Sequence, residues 1–175
     1  MSDLYISWSE YYQTIEELAI KIYQSDWEFN QIVCIAKGGL RAGDILSRIF
    51  EKPLAIISAT SYGGKNNQVR GEIKLSQYLS MTTPQLGDKV LLVDDLVDSG
   101  NSLKATLEWL KQHNKGEINE IRTAVLWRKQ CSIIIPDYYV HYLPENPWIH
   151  QPFEIYEQLN IVDLSERKHD QQQKL

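Results

Sequence analysis

Between Lys89 and Ser102 the chain reads K-V-L-L-V-D-D-L-V-D-S-G-N-S, its densest grouping of residues able to do chemistry. Asp94 and Asp95 are adjacent carboxylates and Asp98 is a third. Ser99, Gly100, Asn101 and Ser102 follow, all residues that cap helices or tolerate positive φ. Carboxylates suit sugar hydroxyls, or a magnesium ion that arrives with a phosphate. Small polar residues ahead of a helix offer a phosphate free backbone N–H groups and the positive dipole end. An ordinary strand-to-helix turn with capping acids is the plainer reading. The crowding of three acids against an S-G-N-S loop favours a ligand site.

The neighbouring elements decide what such a site can hold. Val90–Val93 has the composition of a strand buried on both faces, and Leu103 to His113 has helical spacing with Leu103, Leu107 and Leu110 on one face. Upstream, Gln31–Ala36 (Q-I-V-C-I-A) reads as another short buried strand. It ends in Lys37-Gly38-Gly39 and leads to a helix using Ile45, Leu46, Ile49 and Phe50. A glycine pair after a strand lets the backbone turn sharply and approach a ligand closely, although a plain tight turn looks the same. Ser9 is placed to cap a first helix running to Gln24, with Tyr12, Ile15, Leu18, Ala19 and Ile22 as its buried stripe.

Pro53–Ala59 is a third apolar strand, and Glu72–Leu79 alternates as a strand with one wet face. Thr60 to Gly71 between them is polar and rich in Gly and Asn, a functional lid or a hairpin tip with equal weight. Glu120–Trp127 is a strand ending at Arg128-Lys129, and Ile133–Tyr142 an edge strand around Pro136. Leu143–Glu154 holds three prolines and excludes a long regular element. Trp148, pinned between prolines there, is either a stacking platform or a core residue. From Ser165 the tail is polar and frayed.

At 175 residues the chain has the length of one domain. Its net charge of −5, with no dense Lys/Arg cluster, speaks against a nucleic-acid surface. Cys34, in a buried strand, and Cys131, in a loop, supply neither a disulfide framework nor metal-ligand spacing. The opening M-S-D-L-Y-I-S-W lacks the pattern of a signal peptide, and no apolar run spans a bilayer, so a cytoplasmic protein away from membranes is expected.

Strands alternating with helices predict an α/β fold, a mainly parallel sheet in three layers with right-handed crossovers. Ligands of such sheets sit beyond the strand carboxyl ends, where the strand order reverses. If Ile32–Ala36 neighbours Val90–Asp94, the Lys37-Gly38-Gly39 turn and the acid-rich loop open onto one crevice. Amides and a cation on one side, with acids and a helix N-terminus on the other, fit a polyhydroxyl sugar carrying two phosphate groups and magnesium.

With these residues in view, Val90–Ser102 resembles the phosphoribosyl-diphosphate (PRPP) motif of type I phosphoribosyltransferases. The likeness from Tyr5 to about Glu154 is nearest to bacterial xanthine-guanine and 6-oxopurine phosphoribosyltransferases. It includes A-K-G-G-L at 36–40, S-Y at 61–62, V-D-D-L-V-D-S-G-N-S at 93–102 and P-x-x-x-W-I-x-Q-P at 144–152. The resemblance implies a single domain over 1–164, with a mobile lid at 60–75, a base-binding hood at 143–160 and a polar tail at 165–175. It implies that Asp94 and Asp95 bind the ribose hydroxyls, with Asp95 also near Mg2+. Asp98 would be the general base at the purine imidazole nitrogen, or stabilise the proton there. Ser99, Gly100, Asn101 and Ser102 would hold the 5-phosphate, Lys37, Gly38 and Gly39 the pyrophosphate, and Arg70 would belong to the PRPP lid. Lys129 would bond the 6-oxo group, Trp148 would stack on the purine, and the Ile149 backbone would read its far edge. PRPP, a purine base and a second or further copies of the chain, as a homodimer or homotetramer, are the implied partners.

Displacing pyrophosphate from an anomeric carbon builds oxocarbenium character, so such a site must stabilise a cationic sugar, neutralise the leaving group and exclude water. The chain departs from the family pattern at Lys37 (often Arg), at Asn101-Ser102 (commonly Gly-Thr) and at Gly63-Gly64-Lys65-Asn66 in the lid. Q-C-S-I-I-I after Lys129 also lacks the usual Pro. Two rival readings remain. One is a catalytically silent nucleotide-binding regulator on the same fold, and the other a transferase for a different acceptor such as a pyrimidine, which would not need Lys129 and Trp148 together.

Overall fold

The computed structural model of the chain describes residues 3–61, 73–114 and 116–165. In chain order its elements are β1 (Leu4–Tyr5), α1 (Trp8–Gln24), β2 (Gln31–Ala36), α2 (Leu40–Ile49), β3 (Leu54–Ser61), β4 (Ile73–Leu75), β5 (Ser80–Met81), β6 (Lys89–Val97), α3 (Asn101–His113), β7 (Glu120–Lys129), β8 (Tyr138–Leu143), β9 (Ile149–His150) and α4 (Ile155–Gln158). They fall into two compact units, Gln13–Asn146 and the paired segments Met1–Tyr12 with Pro147–Leu175. No helix among the described residues is long and apolar enough to cross a membrane.

The Gln13–Asn146 unit is built on a seven-stranded sheet of order β4-β3-β2-β6-β7-β8, with β5 pairing β3. The strands β3, β2, β6, β7 and β8 run parallel, and only β4 and β5 are antiparallel to β3. The crossover β2-α2-β3 steps one way along this order and β6-α3-β7 steps the other. Right-handed connections therefore put α2 and α3 on opposite faces. Packing agrees with that. Val33, Ile35, Val90 and Leu92 share a core with Leu103 and Leu110 of α3. A Cβ at Gly43 of α2 would meet the Cys34 side chain, which points the other way along β2. The expected three-layer, mainly parallel architecture is thus present, and its strand order reverses between β2 and β6.

Several local expectations change. The helix α1 is capped by Ser7 and not Ser9: Glu10 N–H donates to Ser7 Oγ (3.2 Å) while Ser7 N–H donates to the Glu10 carboxylate (2.8 Å), a reciprocal capping box. Its buried stripe uses Tyr11, fully enclosed, with Ile15, Leu18, Ala19 and Ile22, whereas Tyr12 is exposed. Spacings of four, three and four from Tyr11 to Ile22 hold one helical face more closely than a start at Tyr12. In α2, Leu46 is buried but Ile49 is half exposed, so Ala42 and Gly43 complete the packed face. The strand expected over Glu72–Leu79 is described only as the short β4, followed by bends. The edge strand begins at Tyr138, past Pro136, and Ile133 and Ile135 before it are exposed.

Strand β6 runs further than its apolar run, through both acids to Val97. It continues because β7 stays beside it, with Asp94 opposite Val125, Leu96 opposite Trp127 and Val97 opposite Arg128. On its other side β2 pairs only as far as Cys34 with Val93. One flank of β6 therefore has no strand partner where Asp94 and Asp95 lie.

Candidate active site

The opening between β2 and β6 is filled from the β2 side by the turn Lys37-Gly38-Gly39, which follows a cis Ala36–Lys37 peptide. A Cβ on Gly38 would lie 2.7 Å from Asp95 Cγ, and one on Gly39 would lie 2.7 Å from the Val93 carbonyl oxygen. Neither glycine has positive φ. They are required by contact, because any side chain would push the turn off the acid pair. The strand adjacency expected from sequence is therefore realised, and it brings Lys37, Gly38 and Gly39 to the same place as Asp94 and Asp95.

Asp94 is buried. Burial, reinforced by the neighbouring Asp95 charge, pushes its carboxyl well above the usual carboxylate range, partly offset by the backbone amides of Asp95 and Gly39. Its Oδ1 accepts the Asp95 N–H at 2.9 Å. Asp95 is half-buried, and its Oδ1 accepts the Leu96 N–H at 2.8 Å. Among the described residues no cluster of three or more His, Cys, Asp or Glu side chains is arranged to hold a metal. Asp95 offers the hard oxygen donors Mg2+ prefers, and Mg2+ commonly takes one or two protein carboxylates with the rest from water and substrate phosphate. The residues fit an ion of that kind, delivered with a polyphosphate ligand.

Past Val97 the chain leaves the sheet at Asp98 and Ser99 and enters α3 at Gly100. Gly100 is the N-cap, with φ of 84° and no side-chain cap bond. The first-turn amides of α3 have no intrahelical acceptors by construction, and the Ser99 hydroxyl accepts the Asn101 N–H at 3.4 Å. A Cβ at Gly100 would also strike Ile134 (2.7 Å) and Ser132 (2.8 Å). Left-handed backbone and lack of space both demand glycine there.

Lys129, the last residue of β7, is buried, and its Nζ lies 3.5 Å from Oδ2 of Asp98, an exposed residue. The other carboxylate oxygen, Oδ1, is 3.3 Å from Cys131 Sγ. Sequence reasoning placed Cys131 in a loop, outside any disulfide or metal pattern, and gave it no part in the site. Its nearness to Asp98 is a contact across 33 residues that no local pattern reports.

Trp148 and Ile149 belong to the other unit. There β1 and β9 form a parallel pair, with Leu4 N–H bonded to the Trp148 carbonyl (2.8 Å) and Ile6 N–H to that of His150 (3.0 Å). In such a ladder the backbone groups of Ile149 face away from β1. The Trp148 side chain is 58% exposed and Ile149 is buried. Tyr5 stacks on His150 at 4.3 Å, and Trp8, Tyr11 and Phe153 form an aromatic cluster. Arg70 and most of the 60–75 segment lie outside the described residues.

Two open grooves, of about 580 and 740 Å3, lie elsewhere in the Gln13–Asn146 unit. One is walled by Tyr78, Leu86 and Trp109, the other by Trp27, Phe50 and Asp88. Neither includes the acids, and the second sits by Asn30 and Lys89, at the amino ends of β2 and β6.

The model of a phosphoribosyl transferase domain matches residues 7–158. The chain is 24% identical over 155 residues to a xanthine-guanine phosphoribosyltransferase of Idiomarina loihiensis, covering 88% of each. Among solved structures, a purine phosphoribosyltransferase of Pyrococcus horikoshii superposes with a TM-score of 0.67 at 30% identity, over 87% of this chain and 94% of that one. A xanthine-guanine-hypoxanthine phosphoribosyltransferase of Helicobacter pylori superposes with a TM-score of 0.73 at 25% identity, over 96% and 99%.

Proposed function

The chain belongs to the phosphoribosyl transferase domain family, and from that premise we propose that it converts a 6-oxopurine and PRPP to the nucleoside monophosphate and pyrophosphate. The observation that carries the choice of acceptor is the pairing of buried Lys129 with exposed Asp98 at 3.5 Å. On a 6-oxopurine the carbonyl oxygen and the imidazole N7 lie side by side on one edge. An ammonium that only donates and a carboxylate beside it match that edge, the first bonding the oxygen and the second the N7 proton. A 6-amino group would turn its own N–H bonds toward the ammonium.

The remaining roles are those the family resemblance implies. Asp94 and Asp95, beside the Lys37-Gly38-Gly39 turn, bind the ribose hydroxyls. Ser99 to Ser102 and the first-turn amides of α3 hold the 5-phosphate. Lys37 and the Gly38-Gly39 amides take the diphosphate, and Asp95 is the protein's share of the Mg2+ site. When bound, Mg2+ neutralises charge on the departing pyrophosphate. The purine N9 forms its bond to the anomeric carbon as the bond to pyrophosphate oxygen breaks, and Asp98 holds or takes the imidazole proton. Trp148 stacks on the ring and the Ile149 backbone bonds its far edge. Arg70 and the 60–75 segment close over PRPP. Residues 1–164 act as one phosphoribosyltransferase domain, working as a homodimer or homotetramer in the cytoplasm in purine salvage.

The test is turnover by purified protein with PRPP, Mg2+ and each of guanine, xanthine, hypoxanthine and adenine. At least one 6-oxopurine is expected to react, with adenine slower by on the order of 10²-fold or more. No turnover with any base would overturn the assignment.

A further inference from the structure

Residues 131–134 run alongside residues 98–100 and hold them at successive points. Cys131 Sγ lies 3.3 Å from Asp98 Oδ1 and 3.6 Å from the Asp98 carbonyl oxygen. Ile133 N–H donates to the Ser99 carbonyl at 3.0 Å. Ser132 and Ile134 occupy the space where a Gly100 side chain would be. Cys131 is itself fixed, its N–H donating to Asn146 Oδ1 at 3.0 Å, and Ser132 Oγ closes the turn by donating to the Ile134 carbonyl at 2.7 Å. The two oxygens of Asp98 are thus met from one strand end, Oδ2 by the Lys129 ammonium and Oδ1 by the Cys131 thiol.

We infer that Cys131 is a positioning residue for Asp98: its thiol donates to Oδ1 and fixes the carboxylate plane for the purine N7 proton. This rests on the reading of Asp98 given above. The two donors divide the work. Lys129 leaves Asp98 for the purine carbonyl when the base enters, and with that anchor gone the thiol is what keeps the carboxylate from rotating on its exposed side. Asp98 in turn marks the thiol, since burial first and then the bond and charge of Asp98 raise the Cys131 pKa, against a smaller lowering by Lys129.

The position is accessible to direct test because the chain has two cysteines and Cys34 is fully buried while Cys131 is exposed. Kinetics of the full chain would compare Cys131→Ala and Cys131→Ser. Removing the donor is expected to lower kcat about 10-fold, as loss of one bond to a charged group does, with KM for PRPP changed less than about twofold. A serine hydroxyl restores the donor, so Cys131→Ser should recover most of that loss. Equal kcat in Cys131→Ala and the unaltered chain, or serine no better than alanine, would overturn the inference.

A second readout needs no turnover. Alkylation of Cys131 by iodoacetamide at pH 8 should run several-fold faster in Asp98→Asn, where the neighbouring charge is gone. An unchanged rate would show that the thiol does not engage Asp98. If the unaltered chain turns over no purine yet this alkylation effect is present, the contact stands and the assigned reaction fails.

Discussion

Gly38 rests directly on the carboxylate of Asp95, so the turn that ends β2 and the acid pair on β6 are two halves of one surface. A methyl group at position 38 would lie 2.7 Å from Asp95 Cγ, and either the turn or the acid must move. Because φ at Gly38 is not positive, an alanine is conformationally allowed and the whole effect is steric. Gly38→Ala is therefore expected to fold with a melting temperature near that of the parent. Its kcat/KM for PRPP should fall on the order of 10²-fold, the usual cost of displacing a positioning group by about 1 Å. Steady-state kinetics at varied PRPP and a thermal melt check this together. A PRPP dependence equal to the parent's would mean that the acid pair does not bind this substrate.

Lys129 is the donor proposed to choose the base. Lys129→Met keeps much of the volume and the apolar stem but removes the ammonium. Breaking one half of a charge pair is severe when the other half stays buried, but here the survivor, Asp98, is exposed to water. Folding stability should therefore change little, while kcat/KM with the preferred 6-oxopurine drops about 10- to 100-fold. The ratio of that rate to the rate with adenine should collapse. If both bases slow equally, Lys129 supports the fold of the site and does not read the 6-position.

These expectations depend on contacts of differing legibility. The β2 and β6 strands, the acids and the α3 start were legible because each is local: apolar runs, adjacent carboxylates and a cap-prone loop. That β6 continues through Asp94 to Val97 was not, since the two acids break its apolar pattern and only the neighbouring β7 sustains the strand. Tyr11 and Tyr12 are chemically identical neighbours; the four-three-four spacing to Ile22 favours Tyr11, and its contact with Phe153, far along the chain, is one no local pattern reports. Cys131 was invisible for the same reason, because its partner is brought to it by the pairing of β6 with β7. Gly38 and Gly39 stood out as a tight turn open to a ligand, but the sequence could not show that a side chain at Gly38 would meet Asp95 and one at Gly39 the Val93 carbonyl.

Cys34 makes a pH prediction unconnected with turnover. Burial above all, then the Asp94 charge, pushes its thiol from 9.0 up to about 12. The folded pKa is raised, so this group's contribution to stability is complete below pH 9 and is lost as pH climbs toward 12, where the unfolded chain releases a proton that the folded chain keeps. The slope is about 1.4 kcal/mol per pH unit within that window. Cys34→Ala removes the group and its slope. Urea unfolding at pH 8, 9 and 10 should show the parent losing stability faster than Cys34→Ala above pH 9. Parallel curves would place Cys34 in contact with solvent.

Asp98 separates sugar binding from proton handling. It stands beyond the strand that carries Asp94 and Asp95, is exposed, and meets Lys129 and Cys131 on the acceptor side. Asn keeps the shape of the side chain but cannot take a proton. In Asp98→Asn, PRPP with Mg2+ is expected to bind with a Kd within about threefold of the parent's, because the sugar and phosphate contacts are untouched. Turnover should fall by roughly 10²- to 10⁴-fold, the range supplied by a positioned base. Calorimetric titration with PRPP and an assay with the preferred purine read the two effects independently. Loss of PRPP affinity without loss of kcat would move Asp98 from the base to the sugar, and with it the division of labour among the three acids.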